Sequence, residues 1–283
     1  GHRKTDRAVE IAERLRTPFV LFSEGGGGRP GDTDYVGVSA LEFTTFAHFG
    51  HLSGKVPLVG INSGRCFAGN AALLGCCDVI IATRRSSIGM AGPAMIEGGG
   101  LGTVAADDVG PMSVQAPNGV VDIVVDTDED AVRVARQYLS YQQGRVADWT
   151  CADQRTLRHA VPENRLRVYD PRGIVRTLAD DGSVLELRRS FATGIVSAFI
   201  RIEGRPLGLI ANDPAQLGGA IDADGADKIA RFMQLCDAYR LPILSLCDTP
   251  GFMVGPDAER TATVRHFARV FVNAANISVP VLA

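Results

Sequence analysis

The chain has 283 residues, 46% hydrophobic and 22% charged, the balance of a folded globular protein with room for one large domain or two ordinary ones. A formal net charge of -3 argues against a generic nucleic-acid partner, and no apolar run reaches the ~20 residues of a bilayer span. The six cysteines form no Cys-x-x-Cys pair, which points to reduced thiols in a cytoplasmic setting. Apolar strands then alternate with amphipathic helices, the pattern of an α/β protein built from βαβ units. Residues 4–16 read as a helix, Pro18 to Phe22 as a buried strand and Gly25 to Gly31 as a glycine-rich loop. A helix is expected over 38–53, a strand from Val56 to Ile61, a small-residue helix over 69–76, a strand from Asp78 to Ala82 and a helix over 128–142. Between 143 and 190 arginine recurs and apolar clusters thin out. Because acids are interspersed, this stretch reads as a solvated connector; the other reading is a basic patch for an anionic ligand. The segment from Ile277 to Ala283 reads as a strand of a second half that is incomplete.

The second half repeats the first. At a constant offset of 224 residues, Lys4 meets Lys228, Arg7 meets Arg231, Arg16 meets Arg240, Pro18 meets Pro242, Gly27 meets Gly251 and Gly31 meets Gly255. Glu24 meets Asp248 at the same offset. Both copies read helix, Arg-x-Pro, apolar strand, acid, glycine-bearing loop, helix, and each then enters a Val-Pro strand at Val56-Pro57 and Val279-Pro280. Such internal periodicity marks a duplicated unit. The expected domains are 1–160 and 161–283, with 146–169 between them.

The chemistry concentrates in the first copy. From Gly60 to Ala82 a strand passes through Ser63-Gly64-Arg65-Cys66-Phe67-Ala68-Gly69-Asn70 into a helix, with small side chains at Ala68, Gly69, Ala71 and Ala72. Small residues let a ligand approach the backbone, and the first N–H groups of a helix lack intrahelical partners at its positive end. A thioester oxyanion suits such a turn. Tight helix–strand packing would use the same small residues, and the segment alone leaves both readings open.

This segment resembles the crotonase signature. More closely, Cys66-Phe67-Ala68-Gly69-Asn70-Ala71 resembles the Cys-x-Ala-Gly-Gly-Ala run of the carboxyltransferases of biotin-dependent acyl-CoA carboxylases, with Asn70 where that family has glycine. Glu24 to Asp34, Ala91-Gly92-Pro93, Tyr169-Asp170-Pro171-Arg172, Asp222-Ala223-Asp224 and Asp248 to Gly255 carry the same resemblance, while 109–115 lacks a histidine common in relatives. The resemblance implies tandem crotonase-like halves, the first for acyl-CoA and the second for biotin, with the active site completed in a dimer-based homo-oligomer. It implies transfer of a carboxyl group from carboxybiotin, brought on a carrier domain, to the α-carbon of an acyl-CoA. The biotin left after decarboxylation would take the α-proton, and the protein would position the reactants and stabilise the oxyanion.

On this resemblance, Gly28, Gly69 and Asn70 are the catalytic candidates through their backbone N–H groups. Gly27, Arg29, Ala68, Ala91 and Gly92 would contact the acyl-CoA, and Gly251 and Phe252 the biotin. Biotin carboxylase and biotin carboxyl carrier components are the implied partners; no nucleic acid, membrane or metal is expected. A biotin-dependent acyl-CoA decarboxylase and a non-catalytic scaffold fragment are the alternatives. A hydratase would need a carboxylate at the acyl pocket, where Glu97 is the nearby candidate.

Three weaker signals compete. Gly26-x-Gly28-x-x-Gly31 formally matches a dinucleotide fingerprint, but Pro30 lies inside the turn and no acid ends the next strand. His48 and His51 share a helix face without a third ligand, so a half-buried surface is the better account. Cys66 lacks a neighbouring histidine–acid pair to activate it as a nucleophile.

Overall fold

The computed structural model describes residues 2–26, 44–164 and 167–283. The loop positions Gly27, Gly28 and Arg29 and the first part of the expected 38–53 helix lie outside these described residues. The chain divides into two compact units, Gly1–Arg136 and Gln137–Ala283.

The first unit opens with α1 (His2–Leu15), whose inward face is Val9 and Ala12. It ends at Arg16, held at φ 55°, with Thr17 N–H donating to Ala12 C=O at 3.1 Å. This is the left-handed helix stop usually given to glycine, and Arg16 bears the steric cost of its Cβ, ~1–2 kcal/mol. Next come β1 (Phe19–Phe22), α2 (Thr45–His51), β2 (Leu58–Asn62), β3 (Arg65–Phe67), α3 (Gly69–Gly75), β4 (Val79–Thr83) and β5 (Ser87–Gly89). The unit continues with α4 (Pro93–Gly98), α5 (Met112–Gln115) and β6 (Ile123–Val125), and the division falls inside α6 (Asp128–Ser140).

Strands β1, β2, β4 and β6 form a parallel sheet in that order, and β3 pairs with β5 in a small parallel ribbon. Every residue of β2 and β4 is buried, as expected where a parallel sheet is covered on both faces. Two buried carboxylates tie strand ends: Asp78 accepts from Leu58 N–H at 2.8 Å and Asp122 from Ile80 N–H at 2.7 Å. Gly60 is required by close approach, because a Cβ there would lie 2.3 Å from Leu74 Cδ1 of α3. The ribbon strand β3 occupies ground that the sequence pattern treats as a turn.

The second unit continues with α7 (Pro171–Leu178), β7 (Leu185–Leu187), β8 (Ile195–Ile202), β9 (Arg205–Asn212), α8 (Ala223–Ala238), β10 (Ile243–Leu246), α9 (Pro256–Glu259), α10 (Thr263–Asn276) and β11 (Val281–Leu282). Its sheet runs β11-β10-β9-β8-β7, parallel across β9, β10 and β11 and antiparallel across β7, β8 and β9. The stretch expected to be a connector belongs to this unit. Buried Arg201 donates to Ser140, Gly144 and Gly204 carbonyls at 2.7–2.8 Å and lies over the Tyr141 ring. Val146 N–H donates to Gly204 C=O at 3.0 Å and Thr150 Oγ1 to Asp181 at 2.7 Å. One guanidinium with four or five donors can hold several carbonyls at once, so the compact unit begins well before residue 160.

The duplication is visible in backbone register. β1 and β10 start at the equivalent residues Phe19 and Ile243; they pair in parallel with Leu58 and Val281. Phe19 N–H donates to Pro57 C=O and Ile243 N–H to Pro280 C=O, both at 2.9 Å. Arg240 repeats the left-handed stop at φ 56°, with Leu241 N–H donating to Cys236 C=O.

Candidate active site

In the first unit the expected small-residue turn is where α3 begins. Ala68 caps the helix at φ 55°, ψ -124°, an uncommon conformation for a residue with a Cβ. Its N–H donates to Gly89 C=O at 3.2 Å and its C=O accepts from Ala72 N–H. The N–H groups of Gly69 and Asn70, one and two residues into the helix, have no hydrogen-bond partner among the described residues. They are the donors that a helix start leaves over.

The surrounding backbone comes very close. Asn70 Nδ2 donates to the carbonyls of Ser23 and Glu24 at 3.1 and 3.0 Å, and a Cβ on Gly25 would lie 2.3 Å from that amide. Asparagine in place of the expected glycine thus fastens α3 to the loop after β1. Gly25 also bonds to β3, accepting from Phe67 N–H at 2.9 Å. A Cβ on Gly92 would stand 3.1 Å from Gly26 C=O and 3.2 Å from the Phe67 ring, and one on Gly69 would stand 3.1 Å from the Phe46 ring. Ala91 shares the turn with Gly92, its C=O lying 3.6 Å from where a Gly89 Cβ would sit. The structure therefore brings together Ala68, Gly69, Asn70, Ala91 and Gly92. Phe46 and Phe67, which wall this turn, escape a reading focused on small residues, although Phe67 stands inside the same motif.

In the second unit, Gly251 lies at φ 124° and its N–H donates to Thr249 Oγ1 at 3.0 Å. Phe252 pairs through its neighbours with Ile221: Ile221 N–H donates to Gly251 C=O and Met253 N–H to Ile221 C=O. Phe252 N–H has no partner among the described residues, and its ring packs on Phe267 and Phe271. The loop is braced from the Tyr169-Asp170-Pro171-Arg172 motif. Tyr169 donates its hydroxyl to Asp248 at 2.7 Å, and burial together with that carboxylate pushes the phenol up to about 12. Arg172 forks onto Glu186 and bridges to Asp213, both at 2.8 Å.

Two of the competing signals can be followed in the structure, while Gly28 and Gly31 of the third lie outside the described residues. Cys66 is fully buried, and burial pushes its thiol up, the opposite of an activated nucleophile. Cys77 and Cys236 are buried as well, whereas Cys151 and Cys247 are exposed. His51 lies beside Lys55 and Glu13, and no cluster of metal-ligating side chains occurs among the described residues. Glu97 is exposed on α4. Among the described residues no helix is long and apolar enough to cross a membrane.

Known proteins resemble the chain along its whole length. It is 30% identical over 99% of its residues to the methylmalonyl-CoA carboxyltransferase 12S subunit of Propionibacterium freudenreichii subsp. shermanii, covering 55% of that protein. It is 26% identical to the methylmalonyl-CoA decarboxylase subunit alpha of Veillonella parvula, covering 56% of it. The chain thus spans about half the length of the curated relatives it matches. Among solved structures, a single-chain, multi-domain long-chain acyl-CoA carboxylase superposes with a TM-score of 0.95 at 57% identity, over 99% of this chain and 28% of that one. The hexameric transcarboxylase 12S, crystallised with methylmalonyl-CoA, gives 0.88 at 29%, over 99% of this chain and 56% of that one. A family profile described as the carboxyl transferase domain matches residues 2–283. By sequence and by fold, this chain belongs to the carboxyl transferase domain family.

Proposed function

We propose that this chain forms the carboxyltransferase part of a biotin-dependent acyl-CoA carboxylase, moving a carboxyl group from carboxybiotin to the α-carbon of an acyl-CoA. The observation that carries the reading is the start of α3, where Gly69 and Asn70 offer N–H groups unspent among the described residues. Removing the α-proton of a thioester puts negative charge on its carbonyl oxygen, and two prepositioned N–H groups stabilise that charge more than the neutral ground state. Gly28 is proposed as a further donor and Gly27, Arg29, Ala68, Ala91 and Gly92 as acyl-CoA contacts. Gly92 and Gly69 keep the thioester path free of side chains.

The first unit is the proposed acyl-CoA side and the second the biotin side. Carboxybiotin would supply the carboxyl group; Phe252 N–H is the donor suited to its ureido oxygen, while Gly251, whose N–H is spent on Thr249, shapes the turn. Biotin carboxylase and carrier components are the proposed partners, in a homo-oligomer completed by a second copy of the protein. A long-chain acyl-CoA is the proposed substrate class, supported by the 57% identity to a long-chain acyl-CoA carboxylase. That similarity also favours carboxylation over the decarboxylase reading. Calorimetry of the full-length protein is expected to show binding of a long-chain acyl-CoA and none of NAD. Binding of NAD without acyl-CoA would replace this reading with the dinucleotide one.

A further inference from the structure

A cavity of about 630 Å³ opens in the second unit along α8 and α10, away from the Gly251–Phe252 loop in sequence and lined by four arginines: Arg188, Arg231, Arg265 and Arg269. Asp227 is the one carboxylate among the described residues of the lining. It is already engaged, by Arg269 at 2.8 Å and His266 at 2.9 Å. The described lining thus sets four guanidinium groups beside a single carboxylate. Ala230, Ala268 and Val272 give the lining an apolar part.

The arginines come from three segments, and the loop that carries Arg188 is held by a buried lysine. Lys228 is 1% exposed and donates through Nζ to the carbonyls of Arg188 and Phe191 at 2.8 Å and of Ala192 at 3.4 Å. Arg188 and Ala192 both hold left-handed backbone, at φ 53° and 45°. A buried ammonium thus gathers the carbonyls of a strained loop and sets Arg188 against α8. On α10, Arg265 and Arg269 lie one turn apart on one face, as i, i+4 residues do.

We propose that this cavity is a binding site for an organic phosphate. Guanidinium groups present planar forks that match phosphate oxygens in pairs. The volume falls within the roughly 300–1,000 Å³ of small-molecule sites. A bare hydrated ion would leave the apolar part of the lining unused, whereas a phosphate joined to a planar or apolar body meets both kinds of surface. The inference rests on these residues alone and is independent of the acyl-transfer reading.

Titration calorimetry of the full-length protein with ADP, whose diphosphate and planar base match the lining, tests it. ADP is expected to bind roughly ten- to a hundredfold more weakly to Arg265→Gln, with part of the affinity restored in Arg265→Lys and inorganic phosphate binding more weakly than ADP. Arg265 is exposed, so its replacement leaves the core untouched. Coenzyme A carries the same diphosphate, and a loss of its affinity in Arg265→Gln that exceeds the loss for ADP would name it as the source of that chemistry. The proposal is overturned if ADP and coenzyme A bind the wild type and Arg265→Gln equally, if neither binds, or if only an acidic peptide binds in an Arg265-dependent way.

Discussion

The helix–strand–strand of the first unit and its counterpart in the second share backbone register down to single hydrogen bonds, yet they bury different things. Lys4 of α1 is exposed, whereas its counterpart Lys228 of α8 is buried against three carbonyls. Only Val9 and Ala12 are buried in α1, while α8 is buried along most of its length. The helices differ in what they pack against: α8 lies on β8, β9 and α10, and α1 on α2. The two copies share their turns and strand pairing but differ in which side chains are buried. At the start of α3 the first unit keeps two N–H donors, while in the second unit Gly251 N–H is spent on Thr249.

The largest effect expected from that difference is catalytic. In the full-length enzyme, Gly69→Pro should lower the turnover number by about 10²–10³, the usual loss for one oxyanion donor. Proline also strains the preceding Ala68, so circular dichroism must show an intact fold, and Gly69→Ala, which keeps the N–H and meets only the Phe46 ring, should be milder. Cys66→Ser should change turnover little. A severe Cys66→Ser defect beside an active Gly69→Pro would replace the oxyanion account with a covalent one.

The lysine pair gives the next largest effect. Lys228→Met leaves buried carbonyls without their donor and should cost about 3 kcal/mol or more in urea unfolding, while Lys4→Met should stay within about 0.5 kcal/mol. Similar costs at the two positions would mean that the copies are buried alike. Asn70→Ala removes two hydrogen bonds that hold α3 to the first loop and should cost about 1–2 kcal/mol, read as weaker acyl-CoA binding and a lower melting temperature.

The smallest effect is on alkaline stability. Burial pushes both Tyr141 and Tyr169 up to about 12, from an ordinary value of 10.0. Between those values the unfolded chain has released protons that the folded chain keeps, so the stabilisation is complete below pH ~10 and is lost as pH rises toward ~12. Tyr169→Phe should flatten part of that fall in pH-dependent urea unfolding; an unchanged slope would mean that Tyr169 contributes nothing to it.

Much of this was legible in the sequence because it is local or periodic. The Arg-x-Pro and Val-Pro sequences and the offset between copies predict the strands β1, β2, β10 and β11 and their repetition. The small-residue run at Ala68 to Asn70 predicts a helix start. Long-range partners were not legible. Nothing near Arg201 in sequence announces the carbonyls of Ser140 and Gly144, which draw residues 137–160 into the second unit. Arg188, read as part of a solvated connector, lines a cavity because Lys228 holds its loop. Phe46 packs on Gly69 across a loop, a contact that no spacing rule signals.

The central claim is carboxyl transfer to a thioester held at the start of α3. Its most direct test is to supply the full-length protein with carboxybiotin labelled in the transferable carboxyl group, together with a long-chain acyl-CoA or propionyl-CoA, and to follow the label. The account predicts label in the acyl-CoA product, faster for the long chain, and its loss in Gly69→Pro. Label that leaves only as carbon dioxide, or a transfer rate indifferent to Gly69→Pro, would contradict it.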